Sequence, residues 1–175
     1  MCIRDRFRYA RRYRALLYWR PIVPGLNDSA AHIAQAAQLA ANAHATVFSG
    51  LFYRKEIADY YRSQGIPEPY SSTARRKLLP LEEEQRLLRM YEAHAPGTPI
   101  FRKTSCGVAY AHQQPDYNGH FGISELCDTC PATQYSTCKA AWKTPDEALL
   151  KSLCATLGAD GEPLGFGEQW NQKPT

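Results

Sequence analysis

Four cysteines stand in one window of the chain, Cys106, Cys127, Cys130 and Cys138, spaced C-x20-C-x2-C-x7-C. Few features constrain a fold as strongly. A C-x2-C turn aims two sulfurs at one centre, and the flanking pair arrives from neighbouring segments. Four converging thiolates make a tetrahedral metal site or an iron–sulfur cluster the leading expectation. Two disulfides would use the same residues but need an oxidising compartment. The first residues are basic and polar, with no apolar stretch of a secretory signal, so a reduced, cytoplasmic setting is expected. Unligated core cysteines are the third reading. Cys2 and Cys154 lie far from the window in sequence and are expected outside it.

Composition sets the outer limits. The 175 residues are 44% apolar and 22% charged, with a net charge of +4, the profile of a globular chain. No apolar run reaches the roughly 20 residues that span a bilayer, so no membrane partner is expected. Arg4, Arg6, Arg8, Arg11, Arg12, Arg14 and Arg20 crowd the start. They suit nucleic acid as a partner, but a solvated helical face explains them as well. Residues 1–6, Met-Cys-Ile-Arg-Asp-Arg, resemble translated adapter read-through and are set aside from fold reasoning. The expectation is that the natural chain extends upstream.

Strand and helix alternate after that. Residues 16–23 are apolar, aromatic and β-branched, a strand, and Pro24 to Asp28 are a turn cluster. Asp28 or Ser29 caps an alanine-rich helix over 30–45, with Ile33, Ala36, Ala37, Ala40 and Ala41 on one stripe. Residues 46–52 read as a second strand, 56–64 as a helix closed by Gly65, and 80–94 as a helix opened by Pro80. Residues 100–104 read as a third strand. This rhythm predicts an α/β fold with parallel strands. From Tyr110 to Cys138 the helical period is lost, and a long loop held by a ligand is expected. Thr144 caps a last helix through Leu157, and Leu164, Phe166 and Trp170 pack a tail.

In parallel βα architecture, chemistry gathers at the C-terminal ends of the strands. Asn27, Ser49 and Arg54 fall there and are the candidate cofactor-binding residues. Asn27 offers an amide to a nucleoside or substrate, and Arg54 a planar fork to a carboxylate or phosphate. Ser49 lies inside an apolar strand and needs a partner. Helix capping, a backbone bond and solvation are the ordinary roles for the three. His112 and His120 are alternative metal ligands.

The run Arg20-Pro21-Ile22-Val23-Pro24-Gly25-Leu26-Asn27-Asp28 resembles the strand-and-turn segment PxxPGxND of radical S-adenosylmethionine (radical SAM) enzymes. Cys106, Gly122 and Cys127 are spaced C-x15-G-x4-C. That spacing is similar to the opening of the SPASM/twitch auxiliary-cluster extensions of the same family. Phe48 to Arg54, with Lys103 to Cys106, is also similar to radical SAM proteins. Residues 16–142 carry the resemblance. It implies the C-terminal part of a partial (β/α) barrel over 7–104 and a Cys-rich loop module over 105–142. A helical tail follows over 143–175. It further implies one auxiliary 4Fe-4S cluster on Cys106, Cys127, Cys130 and Cys138, with S-adenosylmethionine and a small-molecule or peptide substrate in the full-length protein. The family's C-x3-C-x2-C trio is absent: Ile123 stands four places before Cys127. The polypeptide by itself is therefore expected to be inactive in the family's reaction. The alternative is a Zn2+-braced module in which Tyr110, Tyr117, Phe121, Arg102 and Lys103 meet protein or nucleic acid.

Overall fold

Among the described residues, three parallel strands form one sheet in the order β1-β2-β3. The structure, a computed structural model, describes residues 3–73, 79–142 and 147–158. Along the chain run α1 (Ile3–Arg8), β1 (Leu16–Ile22), α2 (Ala30–Ala40), β2 (Ala45–Gly50), α3 (Lys55–Ser63), α4 (Leu81–His94) and β3 (Ile100–Phe101). Then follow α5 (Thr104–Ala111), α6 (Ser124–Cys127), α7 (Ala132–Ala141) and α8 (Glu147–Thr156). The chain divides into two compact units, Met1–Ala140 and Ala141–Thr175. The sheet and all four window cysteines belong to the first. The expected helix cap at Thr144 and the tail residues Leu164, Phe166 and Trp170 lie outside the described residues, as does Cys2.

The parallel α/β expectation holds: β1 pairs with β2 from Leu16↔Ala45 to Ile22↔Gly50, and β2 pairs with β3 at Val47↔Phe101. The sheet is open, with β1 and β3 at its edges. All six residues of β2 are buried, as a central parallel strand requires. Side chains alternate between the faces. Trp19, Phe48 and Thr46 face α2 and α4. Trp19 stacks on Tyr91 at 6.2 Å between ring centroids, and Thr46 and Tyr91 share a hydroxyl hydrogen bond of 2.8 Å. Ile33, Ala37 and Ala40 of α2 and Leu87 of α4 complete this core. The small residues of α2 let it lie close to the strands.

The opposite face is also covered. It is the face a set of helices on one side would leave bare, yet α5 lies across it. A Cβ on Gly107 would stand 2.8 Å from Val47 Cγ2 and 3.6 Å from Phe101 Cδ2. Glycine is therefore what permits this approach.

Three boundaries differ from expectation. α2 ends at Ala40, because β2 already starts at Ala45 and residues 41–44 make the turn. An alanine run carries no stop signal of its own. The third strand ends at Phe101, since Arg102 turns away and Lys103 is already the N-cap of α5. The cysteine window is not a loop. Of its cysteines, Cys106 lies on α5, Cys127 ends α6 and Cys138 lies on α7.

Candidate metal centre

Three short helices bring the window cysteines together. Cys106, Cys127, Cys130 and Cys138 line one small cleft, with Asp116, His120, Phe121, Leu126, Gln134 and Tyr135. The Cys127–Cys130 turn is closed by the Cys130 N–H donating to the Cys127 carbonyl at 3.1 Å. Arg102 holds that turn to the sheet. Its guanidinium bonds the Asp128 carboxylate and the Glu125 carbonyl, while its Nε donates to buried Glu84 of α4 at 2.8 Å. Burial works against this charge, but the bonds from Asp128 and Glu84 outweigh it and raise the Arg102 pKa. Cys154 belongs to the second unit.

Burial pushes the Cys106 thiol up to about 11, with Asp116 and Cys127 adding to it. Burial likewise pushes Cys130 up to about 12, reinforced by Cys138, Cys127 and Cys106. Without a metal these thiols hold their protons at neutral pH. Acids crowded in this way are relieved by a cation, which draws thiolates together.

Several observations fit a sulfur-bound metal group. The Asp116 N–H and Gln134 Nε2 both donate to Cys138 Sγ, at 3.3 and 3.2 Å. Donors aimed at a sulfur orient it, as the outer contacts of a metal-ligating cysteine do. The Thr129 hydroxyl, between Cys127 and Cys130 in sequence, is buried with no hydrogen-bond partner. Thr129 is not among the residues that line the cleft, and its orphaned hydroxyl bears on the turn itself.

Sequence reasoning missed Asp116. Cys106 Sγ, an Asp116 carboxylate oxygen and a His120 ring nitrogen all lie within 4.8 Å of one another. The Asp116 carboxylate is, however, committed to its own loop, accepting the His120 N–H at 2.6 Å and the Asn118 N–H at 3.2 Å. His120 Nδ1 is 3.1 Å from the Ser105 hydroxyl. Burial lowers the His120 pKa and Lys103 lowers it further, against the pull of Asp116. The aspartate signal in sequence was only its place in the loop, which names no ligand. His112, the other candidate histidine, is an exposed C-cap of α5 and lies outside the cleft.

Each of the three rim candidates has its own local surroundings. Asn27 commits both amide atoms to its own turn: Oδ1 accepts the Val23 N–H at 2.7 Å and Nδ2 donates to the Pro21 carbonyl at 3.0 Å. The cap of α2 is Ser29, not Asn27: its hydroxyl accepts the His32 N–H at 3.3 Å. Arg54 is exposed and lies 5.2 Å over the Phe52 ring. Ser49 is buried on the α5 side of β2, and its hydroxyl has no partner. Tyr70 bridges the ends of β1 and β2, accepting from Leu51 N at 3.2 Å and donating to the Ile22 carbonyl at 3.4 Å. Of the aromatics, Phe121 packs on Tyr135 at 5.3 Å beside the cysteines, whereas Tyr117 is 68% exposed.

Compared with family models, curated proteins and solved structures, the chain matches none. The site is therefore read from its own chemistry. Among the described residues the cysteines are free thiols, and no helix is long and apolar enough to cross a membrane.

Proposed function

We propose that this chain is the rear part of a radical SAM iron–sulfur protein, carrying one auxiliary 4Fe-4S cluster on Cys106, Cys127, Cys130 and Cys138. The observation that carries the reading is the convergence of these cysteines on one cleft, with two N–H donors on Cys138 Sγ. The open parallel sheet is the partial-barrel segment of this reading, and its missing strands come from elsewhere in the full protein. When bound, such a cluster supplies one-electron transfer. The chain's own residues do the rest. The four thiolates hold the group, Gln134 and the Asp116 N–H stabilise charge on sulfur, and Phe121 and Leu126 keep water back. Arg102 fixes the C-x2-C turn against α4. The polypeptide lacks the C-x3-C-x2-C trio and does not cleave S-adenosylmethionine unaided. Its substrate, small molecule or peptide, is set in the absent part of the barrel.

The second reading is a Zn2+-braced binding module. The closeness of Cys106, Asp116 and His120 within 4.8 Å favours it, because sulfur, oxygen and nitrogen donors together suit zinc. One experiment separates the two. The chain is unfolded, reduced and reconstituted anaerobically with iron and sulfide, and in parallel with zinc. The cluster reading expects a brown protein with about four iron and four sulfide per chain, lost in Cys127→Ser. A colourless protein that takes up a single zinc, with Asp116→Asn lowering its affinity, replaces it with the zinc reading.

A further inference from the structure

Behind the cysteines lies a second cleft of about 530 Å3. It is within the range of small-molecule sites and independent of the metal reading. Arg14, His44, Tyr110, Gln113, Thr133 and Gln134 are among the residues that line it. No acidic residue lines it among the described residues.

Each of its polar side chains can donate a hydrogen bond. Arg14 Nε is fixed on the Ala111 carbonyl at 2.9 Å, which anchors the guanidinium and leaves its two terminal nitrogens for other partners. His44 is held at both ends: its backbone N–H donates to the Ala15 carbonyl at 2.8 Å, and its Nδ1 accepts the Ala15 N–H at 3.0 Å. Nδ1 is also 3.3 Å from the Ala15 carbonyl, so both contacts occupy Nδ1 and leave Nε2 for a ligand. Tyr110 and Thr133 add hydroxyls.

Gln113 is strained. Its φ is +55°, the sole positive φ outside glycine among the described residues. It stands just past the end of α5, where the Gln114 N–H reaches back to the Ala109 carbonyl at 2.9 Å, a position that glycine normally fills. A glutamine there places an amide in the cleft against its own backbone preference. Such strain is retained where the side chain is used.

We propose that this cleft binds a small oxyanion-bearing molecule, a phosphate or carboxylate group seated on Arg14, His44 and Gln113. One fixed cation with neutral donors and no opposing carboxylate is the chemistry that recognises such a group. The same cleft shares a wall with the metal centre, since Gln134 lines both and donates to Cys138 Sγ at 3.2 Å.

The test titrates the full chain with inorganic phosphate and, separately, with succinate. Chloride holds the ionic strength constant, and amide chemical shifts are followed by NMR. A saturable shift is expected at residues around the cleft. Tighter binding of phosphate assigns a phosphoryl ligand, and tighter binding of succinate a carboxylate ligand. Arg14→Gln weakens binding about tenfold, the worth of one charge-assisted hydrogen bond. Gln113→Gly raises Tm, because glycine suits the backbone, yet weakens binding. That split is one a structural role does not produce. No saturation with either anion, or unchanged affinity in both variants, overturns the proposal. If Arg14→Gln fails to fold, the affinity of Gln113→Gly alone decides.

Discussion

Thr129 carries a buried hydroxyl with no partner, which costs about 1–3 kcal/mol where nothing compensates it. Replacing it with valine removes the hydroxyl and keeps the shape. Thr129→Val is expected to stabilise the metal-free chain by about 1 kcal/mol in urea unfolding. Thr129 does not line the cysteine cleft, so the gain is expected to be the same in metal-free and metal-loaded chains. A gain confined to the metal-free form would place Thr129 in the site. The thiols give a second expectation. Cys106 and Cys130 are pushed up to about 11 and about 12, against about 8.5 for an unfolded cysteine. The folded state therefore keeps protons that the unfolded state gives up. This contribution is complete below about pH 8.5 and fades as pH rises toward the folded values. Denaturation of the metal-free chain should become easier above that pH. Metal binding runs the other way. At least these two protons must leave on loading, so apparent Zn2+ or Co2+ affinity rises by at least about a hundredfold per pH unit between pH 6 and 8. An affinity independent of pH would mean that these thiols are not ligands.

At the scale of elements, Gly107 decides how α5 meets the sheet. Helix propensity favours alanine there by about 1 kcal/mol. The added methyl would stand 2.8 Å from Val47 Cγ2, on a stiff β-branched side chain in a fully buried strand, and overpacking of this kind costs about 1–3 kcal/mol. Gly107→Ala is therefore expected to be net destabilising, and Val47→Ala in the same chain to recover part of the loss in a double-mutant cycle. Additive effects would mean that α5 does not rest on β2. This contact also explains what was legible. The strands announced themselves through runs such as Thr46-Val47-Phe48, and α2 through its alanine stripe. α4 was marked by Pro80 and three glutamates in its first turn. Helices α5 and α7 did not. α5 reads Thr-Ser-Cys-Gly-Val-Ala-Tyr-Ala, with glycine at its centre and no polar face, and α7 is built largely of Thr, Ser, Gln and Tyr. Their helicity comes from packing rather than from period. The spacing of four cysteines pointed to one cleft, but it said nothing of Asp116, whose place depends on how the loop 112–123 folds back.

Across the whole molecule, sheet and cysteine window behave as one body. Both fall in the unit Met1–Ala140, and Arg102 ties the C-x2-C turn to Glu84 of α4. A ligand that binds only the folded form stabilises everything that unfolds with its site. Under the metal reading, stripping the loaded chain with a chelator should therefore speed hydrogen exchange along β2, although no strand residue lines the cleft, while α8 in the second unit keeps its rates. Faster exchange confined to 105–140 would show that the window unfolds independently of the sheet. The order β1-β2-β3 has a practical result of its own. Among the described residues, the outer side of β1 is a row of backbone donors and acceptors with no neighbour in the sheet, which is the surface from which chains stick to one another. Arg20, by its charge, and Pro21, which lacks an N–H, blunt only the far end of that row, leaving Leu16 to Trp19 unguarded. Concentrating the isolated chain then favours self-association along this edge, and a charged residue introduced at exposed Tyr18 is the change most suited to keeping it in solution.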